Sequence, residues 1–572
     1  MDAPSPTSEK PAPPELLIVG SADSWPRALF EIFLIFCLFF LFAGYDAPGV
    51  NETHYLTKAK HYWNPAWCAN DRFLQSADAH AVFYWTFGWV TRFTSLTATA
   101  WIGRLITWWL LAWSWRRLSI AVVPYAYCSL LSAALFLLFL KQFHMAGEWV
   151  VGGVEAKGFA YVFVFLGLEA IARNRWQWVF PYFGAAAAFH VIVGGWCVLV
   201  GFGSWLILSL TKRKEETYPT LMQLVPSLAI GFMLSLPGLL PCLLLNRGQP
   251  RELIDEGNGT YVYVRLQHHL VLHKFLGLKE FMELKDKYKV WELPIFLAWF
   301  KTIRHPLLML TLVGVAGTLF RIRPLWRVTI FAGGCILLAV AGALIDWAAM
   351  YMSREASAAI LRFYWYRMSD AVVPIGVALA ITWWIAEGIK SPTWRTLALA
   401  GTMLACIANI GDILWWRHKL GVPEAVFYSS LKKLNEPLSP KQRHDDWIAC
   451  CTWIREHTNA NDVFLTPRWP ESFLWYAERA EIACWKNAPQ DAKGLVDWLK
   501  RYEDIRNEEK LHPPEVDPSL PFEARAVVLG EKYGAKYIVL DRLKKEPPQH
   551  LRQVYPTSAN FNASFAVYRL VE

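Results

Sequence analysis

Eleven apolar runs dominate the chain, at 27–44, 98–115, 121–140, 157–172, 178–190, 193–210, 222–245, 305–320, 327–347, 370–388 and 394–415. A helix that crosses the ~30 Å of hydrocarbon in a bilayer needs about 20 apolar residues. The pattern therefore predicts an α-helical polytopic membrane protein with eleven transmembrane helices. The stretch 178–210 is too long for one span and too short for two full ones. The neighbourhood of His190, Gly194 and Gly195 predicts a break there into two short helices, with the freed backbone groups satisfied inside the protein.

Composition agrees. Charged residues make up 18% of the chain, against about 25% in an ordinary soluble domain, and the deficit falls on the apolar half. Many of the 31 Trp and 34 Phe flank the runs, where headgroup-level aromatics sit. The net charge of +9 is spread over short loops instead of gathering on one polar face, so nucleic acid is not an expected partner.

Basic residues in short loops set orientation. Arg116–Arg117, Arg173/Arg175, Lys212–Arg213–Lys214, Arg321/Arg323/Arg327 and Lys390/Arg395 fall on one side under this span count, which is then cytoplasmic. Residues 1–26, polar and Pro-rich, form a disordered cytoplasmic tail. The run after them lacks a cleavage motif and is a retained span. The membrane domain is 27–419. The opposite, extracytoplasmic side of a cell (inner) membrane receives the loops 45–97, 141–156, 246–304 and 348–369 and a soluble domain, 420–572.

That domain reads as α/β: a helix over 443–457, a strand at 462–466, a helix at 491–502, a helix closing at 531–534, and strands at 536–540 and 565–571. The ten Cys show no metal spacing. A disulfide from Cys450 or Cys451 to Cys484 is open on sequence grounds.

Long ordered loops usually carry function. The first contains two expected membrane-surface helices, near Glu52–His61 and Ala79–Phe93. Carboxylates are available at Asp46, Glu52, Asp71, Asp78 and Glu155. Cations stand at Arg265, His268, His269, His273 and Lys274, and at Arg354, Arg362 and Arg367. A guanidinium fork suits phosphate oxygens. Each has a plainer alternative: a helix-start carboxylate for Glu52, caps for Asp71 and Asp78, a mutual pair for Glu155 and Lys157, snorkelling for Arg362 and Arg367, a stapled helix break for His190. Adjacent His268 and His269 point to different helix faces and are not expected to bind metal. Trp475 and Tyr476 read as domain core.

One span, an acidic residue in a loop with two surface helices, many further spans and an external C-terminal domain resemble the GT-C superfamily of lipid-phosphate-dependent glycosyltransferases. The local match is NETHYLTKA at 51–59, with Glu52 in the second acidic position and Asn51 departing from the first. The segment FLTPRWPESFLWYAERAEIACWKNAP is similar to uncharacterised bacterial membrane proteins of this type. The resemblance implies an inverting sugar transfer from a polyprenyl-phosphate donor, with Glu52 or Asp46 as base. Arg265, His268, His269, Arg362 and Arg367 would hold the phosphate, and Asp71, Asp78, His80, Glu155 and Lys157 would contact substrate. It implies no cofactor beyond the donor and leaves divalent metal, sugar and acceptor (glycan, lipid or protein) open. Two rivals stand beside it. A transporter or lipid-linked glycan flippase predicts mid-span ionisable groups and repeated halves; a non-catalytic scaffold with an exported binding domain predicts outer-loop carboxylates that tolerate substitution.

Overall fold

A computed structural model describes residues 24–272, 293–431, 436–467, 471–558 and 561–570; His273 and Lys274 lie outside them, as does nearly all of the N-terminal tail. The chain is mainly helical, and each expected apolar run falls on a helix. Six helices have the length and composition to cross a membrane: Trp25–Ala43, Val191–Leu210, Leu221–Leu244, Arg323–Ala348, Arg367–Gly388 and Pro392–Leu420. Cys128–Gln142 and Ile303–Leu319 are shorter and apolar. The remaining runs lie on Leu96–Val122, Ala156–Ala172 and Trp176–Phe189. Leu199, Leu243, Leu310 and Leu404 stand exposed on the outside of the bundle, as lipid-facing side chains do.

The break at His190 is present. One helix ends at Phe189, the next begins at Val191, and the His190 imidazole accepts the Val193 N–H at 3.4 Å. Small residues let backbones meet, the usual device where lipid removes the hydrophobic drive between helices. A Cβ on Gly184 would collide with the Gly231 carbonyl, and one on Gly238 with the Ala188 carbonyl.

Four of the five basic loops, those at 116–117, 173–175, 212–214 and 321–327, gather at one end of the bundle. Arg323 and Arg327 both donate to Glu216, at 2.7 and 2.8 Å, and Arg327 also reaches the Ala172 carbonyl. Arg117 and Arg173 share Glu169. The long loops lie at the other end, with the C-terminal part of the chain against them.

The first loop departs from expectation. Helix Glu52–Trp63 forms, yet Glu52 through Ala59 are all buried. Its Tyr55, Leu56 and Ala59 pack with Phe83, Val154 and Trp475, so it is a core element between bundle and C-terminal domain, not a surface helix. The reason lies in the residues between its apolar positions: Thr57 and Lys58 find partners indoors, Thr57 donating to the Thr53 carbonyl and Lys58 to the carbonyls of Phe73 and Leu74 at 3.0 Å. The expected second helix is a short turn of helix, Ala81–Thr86, followed by a 3₁₀ turn, Gly88–Arg92. Its Trp85, Trp89 and Phe93 do remain exposed.

Beyond the bundle a five-stranded sheet has the order β2-β1-β3-β5-β4, with β1 Val463–Leu465, β2 Ala480–Glu481, β3 Ala535–Asp541, β4 Arg552–Tyr555 and β5 Phe565–Arg569. β1 pairs in parallel with β2 and β3, whereas β5 runs antiparallel to β3 and β4. Period-two alternation sends Phe464, Val539 and Val567 to one face, under Trp447, Cys450, Cys451 and Ile454 of helix Pro440–His457. Leu465, Ile538 and Leu540 go to the other, against Ala526 and Leu529 of helix Phe522–Tyr533. That helix stops at Gly534, whose φ of +72° favours glycine. All ten cysteines are free. Cys450 and Cys451 lie in the core beneath one sheet face, and Cys484 sits beside Trp498, so no bridge forms.

Candidate functional site

Glu52 is fully engaged. Arg104, from helix Leu96–Val122, grips it with Nε to Oε1 and Nη2 to Oε2, both at 2.7 Å. The backbone N–H groups of Gly49 and Val154 donate to the same carboxylate, at 2.5 and 2.8 Å. Glu52 is wholly buried and Arg104 is 1% exposed. With four donors on two oxygens, the carboxylate fastens two loops to the bundle and has no lone pair directed at a substrate. A Cβ at Gly153 would stand 3.0 Å from this carboxylate, which is why the loop passes there as glycine. Trp108 holds the Gly152 carbonyl at 2.8 Å. Glu155 is thereby set immediately after a clamped segment.

From Glu155 a chain of polar contacts runs across all four long loops and into the C-terminal domain. Lys486 Nζ donates to Asn51 Oδ1 at 2.7 Å, and Asn51 Nδ2 donates to Glu155 Oε2 at 2.8 Å. Lys157 lies 3.5 Å from both Glu155 and Glu148. Glu148 forms an ion pair with Arg367, Nε to Oε2 at 2.9 Å, and accepts the Tyr161 hydroxyl at 3.0 Å. Arg367 approaches His190 Nε2 at 3.3 Å, and His80 Nε2 pairs with the Tyr55 hydroxyl at 3.3 Å. The His80 and His190 rings are 5.9 Å apart.

The loop bearing Glu148 is held by Asp370, which accepts the N–H groups of Met145 and Ala146 at 2.8 and 2.7 Å. Burial pushes the Glu148 carboxyl up, opposed by Arg367 and Lys157. Burial also brings His80 down to about 4 and Lys486 down to about 8. At neutral pH His80 is uncharged, and Lys486 is mostly charged.

The remaining expected residues divide. Arg265 belongs to the cluster: its guanidinium reaches the Lys486 carbonyl at 3.4 Å and lies 5.5 Å from the Trp485 ring, and its Nε is buried without a partner. His269 is committed to the Ala146 carbonyl at 2.5 Å, and His268 is exposed beside it. Arg362 turns away to Asn258. Asp78 pairs with Lys58 at 3.6 Å. Asp71 pins the first loop to β2, accepting the N–H groups of Leu74 and Glu481 at 3.0 and 3.1 Å. Asp46 is exposed. Arg354 lines a separate cavity of about 410 Å³ with Tyr263 and Ser357. Among the described residues no group of three His, Cys, Asp or Glu has metal-site geometry.

Three members were not among the expected site residues: Glu148, Lys486 and Glu471, whose carboxyl burial pushes up beside Lys486 and Arg265. A signal existed for each. Glu148 is an acid within an apolar, Gly-rich run, and the other two lie within the aromatic segment that resembles uncharacterised membrane proteins. Residues 445–505, which include Glu471 and Lys486, match a family described as a domain of unknown function (DUF6798). No curated protein matches the chain.

Proposed function

We propose that the chain is a membrane glycosyltransferase of the GT-C kind, which moves a sugar from a lipid-phosphate donor to an acceptor hydroxyl at the outer face of a cell membrane. On this reading all eleven apolar helices cross the bilayer, the basic end is cytoplasmic, and the C-terminal domain is extracytoplasmic. One observation carries it. Carboxylates and cations from four loops and the C-terminal domain, up to 435 positions apart between Asn51 and Lys486, converge in one cluster at the end of the bundle opposite the basic loops.

Such a transfer needs a carboxylate to take the acceptor proton and cations to hold the leaving phosphate. Glu155 is the base on this reading. Asn51, which departs from the acidic motif, donates to Glu155 and so orients a carboxylate brought in from another loop. The acceptor oxygen attacks the anomeric carbon while its proton passes to Glu155. The bond from that carbon to the phosphate oxygen breaks, and the lipid phosphate leaves with the electron pair. Arg265 and Lys486 hold it, with Arg367 and Lys157 behind them, since a guanidinium with a buried, unpaired Nε is a ready phosphate donor. Glu52 and Arg104 position the base.

The flippase reading gains little support here. Arg104 is spent on Glu52, and His190 faces Arg367 at the loop-bearing end. The test is transfer of radiolabelled sugar from a panel of polyprenyl-phosphate donors in membranes containing the protein. Label reaching a product is expected; no label moved by any donor, with acceptor-rich envelope extract present, overturns the assignment.

A further inference from the structure

A second polar site lies at the seam between the first loop and the C-terminal sheet. It is a cavity of about 690 Å³, within the range of about 300–1,000 Å³ that small-molecule sites occupy. The first loop supplies one wall with Asn70, Arg72 and Gln75; β2 and helix Ala492–Arg506, with its capping Asp491, supply the other. Asp71 joins the two walls through the Leu74 and Glu481 N–H groups.

The lining is unlike a lipid or drug pocket, which is mostly apolar. Three carboxyls, of Glu481, Asp491 and Asp497, face four cations, of Arg72, Lys493, Arg501 and Lys532, with amides between them. Arg501 is already paired with Asp497 at 3.1 Å, and Lys532 with Asp504, outside the lining, at 2.7 Å. Only Arg72 and Lys493 then stand against Asp491, so the residual field on a phosphate or a nucleic acid is weak.

Two acceptor atoms are left over. Glu481 is 5% exposed; Thr466 donates to its Oε2 at 2.8 Å, but its Oε1 is buried with no partner. Asp491 caps Gly494 through Oδ1 at 3.0 Å, and its Oδ2 has no partner. Buried polar groups are ordinarily satisfied, so two unsatisfied carboxyl oxygens just beneath the cavity wall are acceptors that a turn of either side chain would present to a ligand supplying hydrogen bonds. Burial beside Asp71 pushes Glu481 up to about 8, so at neutral pH it can donate as well as accept.

We infer that this cavity binds a polyhydroxylated ligand, an oligosaccharide. Each sugar hydroxyl both donates and accepts, which suits a lining of carboxyls, amides and guanidinium groups in near-equal charge. Eight of the lining residues, the charged Glu481, Asp491, Lys493, Asp497 and Arg501 among them, fall inside the matched segment 445–505. If the transfer reading holds, this is where the glycan part of the acceptor is gripped, and the inference rests on that reading for this role alone.

The experiment uses the full chain in nanodiscs, free of glycoside detergents that would compete. Maltotriose, chitotriose, mannotriose and galactotriose are titrated without donor, against wild type, Asp491→Asn and Arg72→Ala. Asn caps a helix as well as Asp, and Arg72 is exposed, so both variants should keep the wild-type melting temperature. At least one trisaccharide is expected to bind wild type, at least tenfold more weakly in each variant. Binding of none of them, equal binding in all three proteins, or inorganic phosphate binding in preference to sugar overturns the inference. Because no donor is present, lost binding and lost transfer are separate results.

Discussion

Replacing Glu52 with Gln separates a structural carboxylate from a catalytic one. The substitution keeps the shape but leaves a single acceptor oxygen for the Gly49 and Val154 N–H groups, which donate to different oxygens of Glu52, and it removes the charge that Arg104 grips through two 2.7 Å bonds. Arg104 is 1% exposed, so its guanidinium stays buried with only the less directly placed Glu424 and Asp46 as carboxylate neighbours. Breaking a buried ion pair from one side costs about 3–5 kcal/mol. A domain of 150–250 residues loses about 2–4 °C of melting temperature per kcal/mol; in a larger chain the shift is smaller, on the order of 5 °C in all. Thermal unfolding of detergent-purified protein reads it, alongside transfer activity normalised to folded protein. Glu52→Gln is expected to melt below wild type by that margin while its folded fraction keeps a reduced but measurable activity. An unchanged melting temperature with transfer abolished would refute the reasoning, because it would make Glu52 a chemical group and not a fastening.

Gly184→Ala drives a methyl into the Gly231 carbonyl; overpacking of this kind costs about 1–3 kcal/mol, visible as a lowered melting temperature, whereas Gly195→Ala, with open space at its Cβ, should be neutral. Transfer should fall as pH rises through about 8, where Lys486 loses the charge that holds the phosphate; Lys486→Met should have low activity with no such fall. His444 is brought down to about 4 by burial, so it is neutral when folded and binds a proton more readily when unfolded. Its contribution to stability is full above pH about 6.5 and is lost as pH falls toward 4; His444→Gln should flatten that part of the unfolding profile.

Much of this fold was legible because its signals are local. Apolar runs marked the helices, and the awkward length of 178–210 with His190 inside it marked the break that the structure places at that residue. In the C-terminal domain the helix and strand positions followed from alternation and from Gly534. The first loop misled for a physical reason. Its residues 52–61 have the amphipathic pattern of a helix at an interface, and a helix sandwiched between two protein surfaces has a similar pattern when its polar face is satisfied indoors, as Lys58 is by the Phe73 and Leu74 carbonyls. Site residues were legible as types and not as partners. Sequence marks Glu52, Glu155, Arg265 and Arg367 as polar groups in long loops, but which carboxylate is saturated depends on Arg104, half a hundred positions away, and on how Asn51 meets Glu155. Lys486 and Glu471 lie more than 400 positions from the loop they join, in a segment whose sequence gives its aromatic content more prominence than its charges.

The central claim is that the Glu155 cluster transfers sugar from a lipid phosphate, and the most direct measurement is the initial rate of label transfer by wild type and Glu155→Gln at equal amounts of folded protein. The account predicts that the variant folds with a modestly lowered melting temperature, because Lys157 keeps Glu148 as a partner, and transfers at least a hundredfold more slowly, on the scale of about 10²–10⁴ expected for loss of a general base. A Glu155→Gln protein that transfers at the wild-type rate would contradict it.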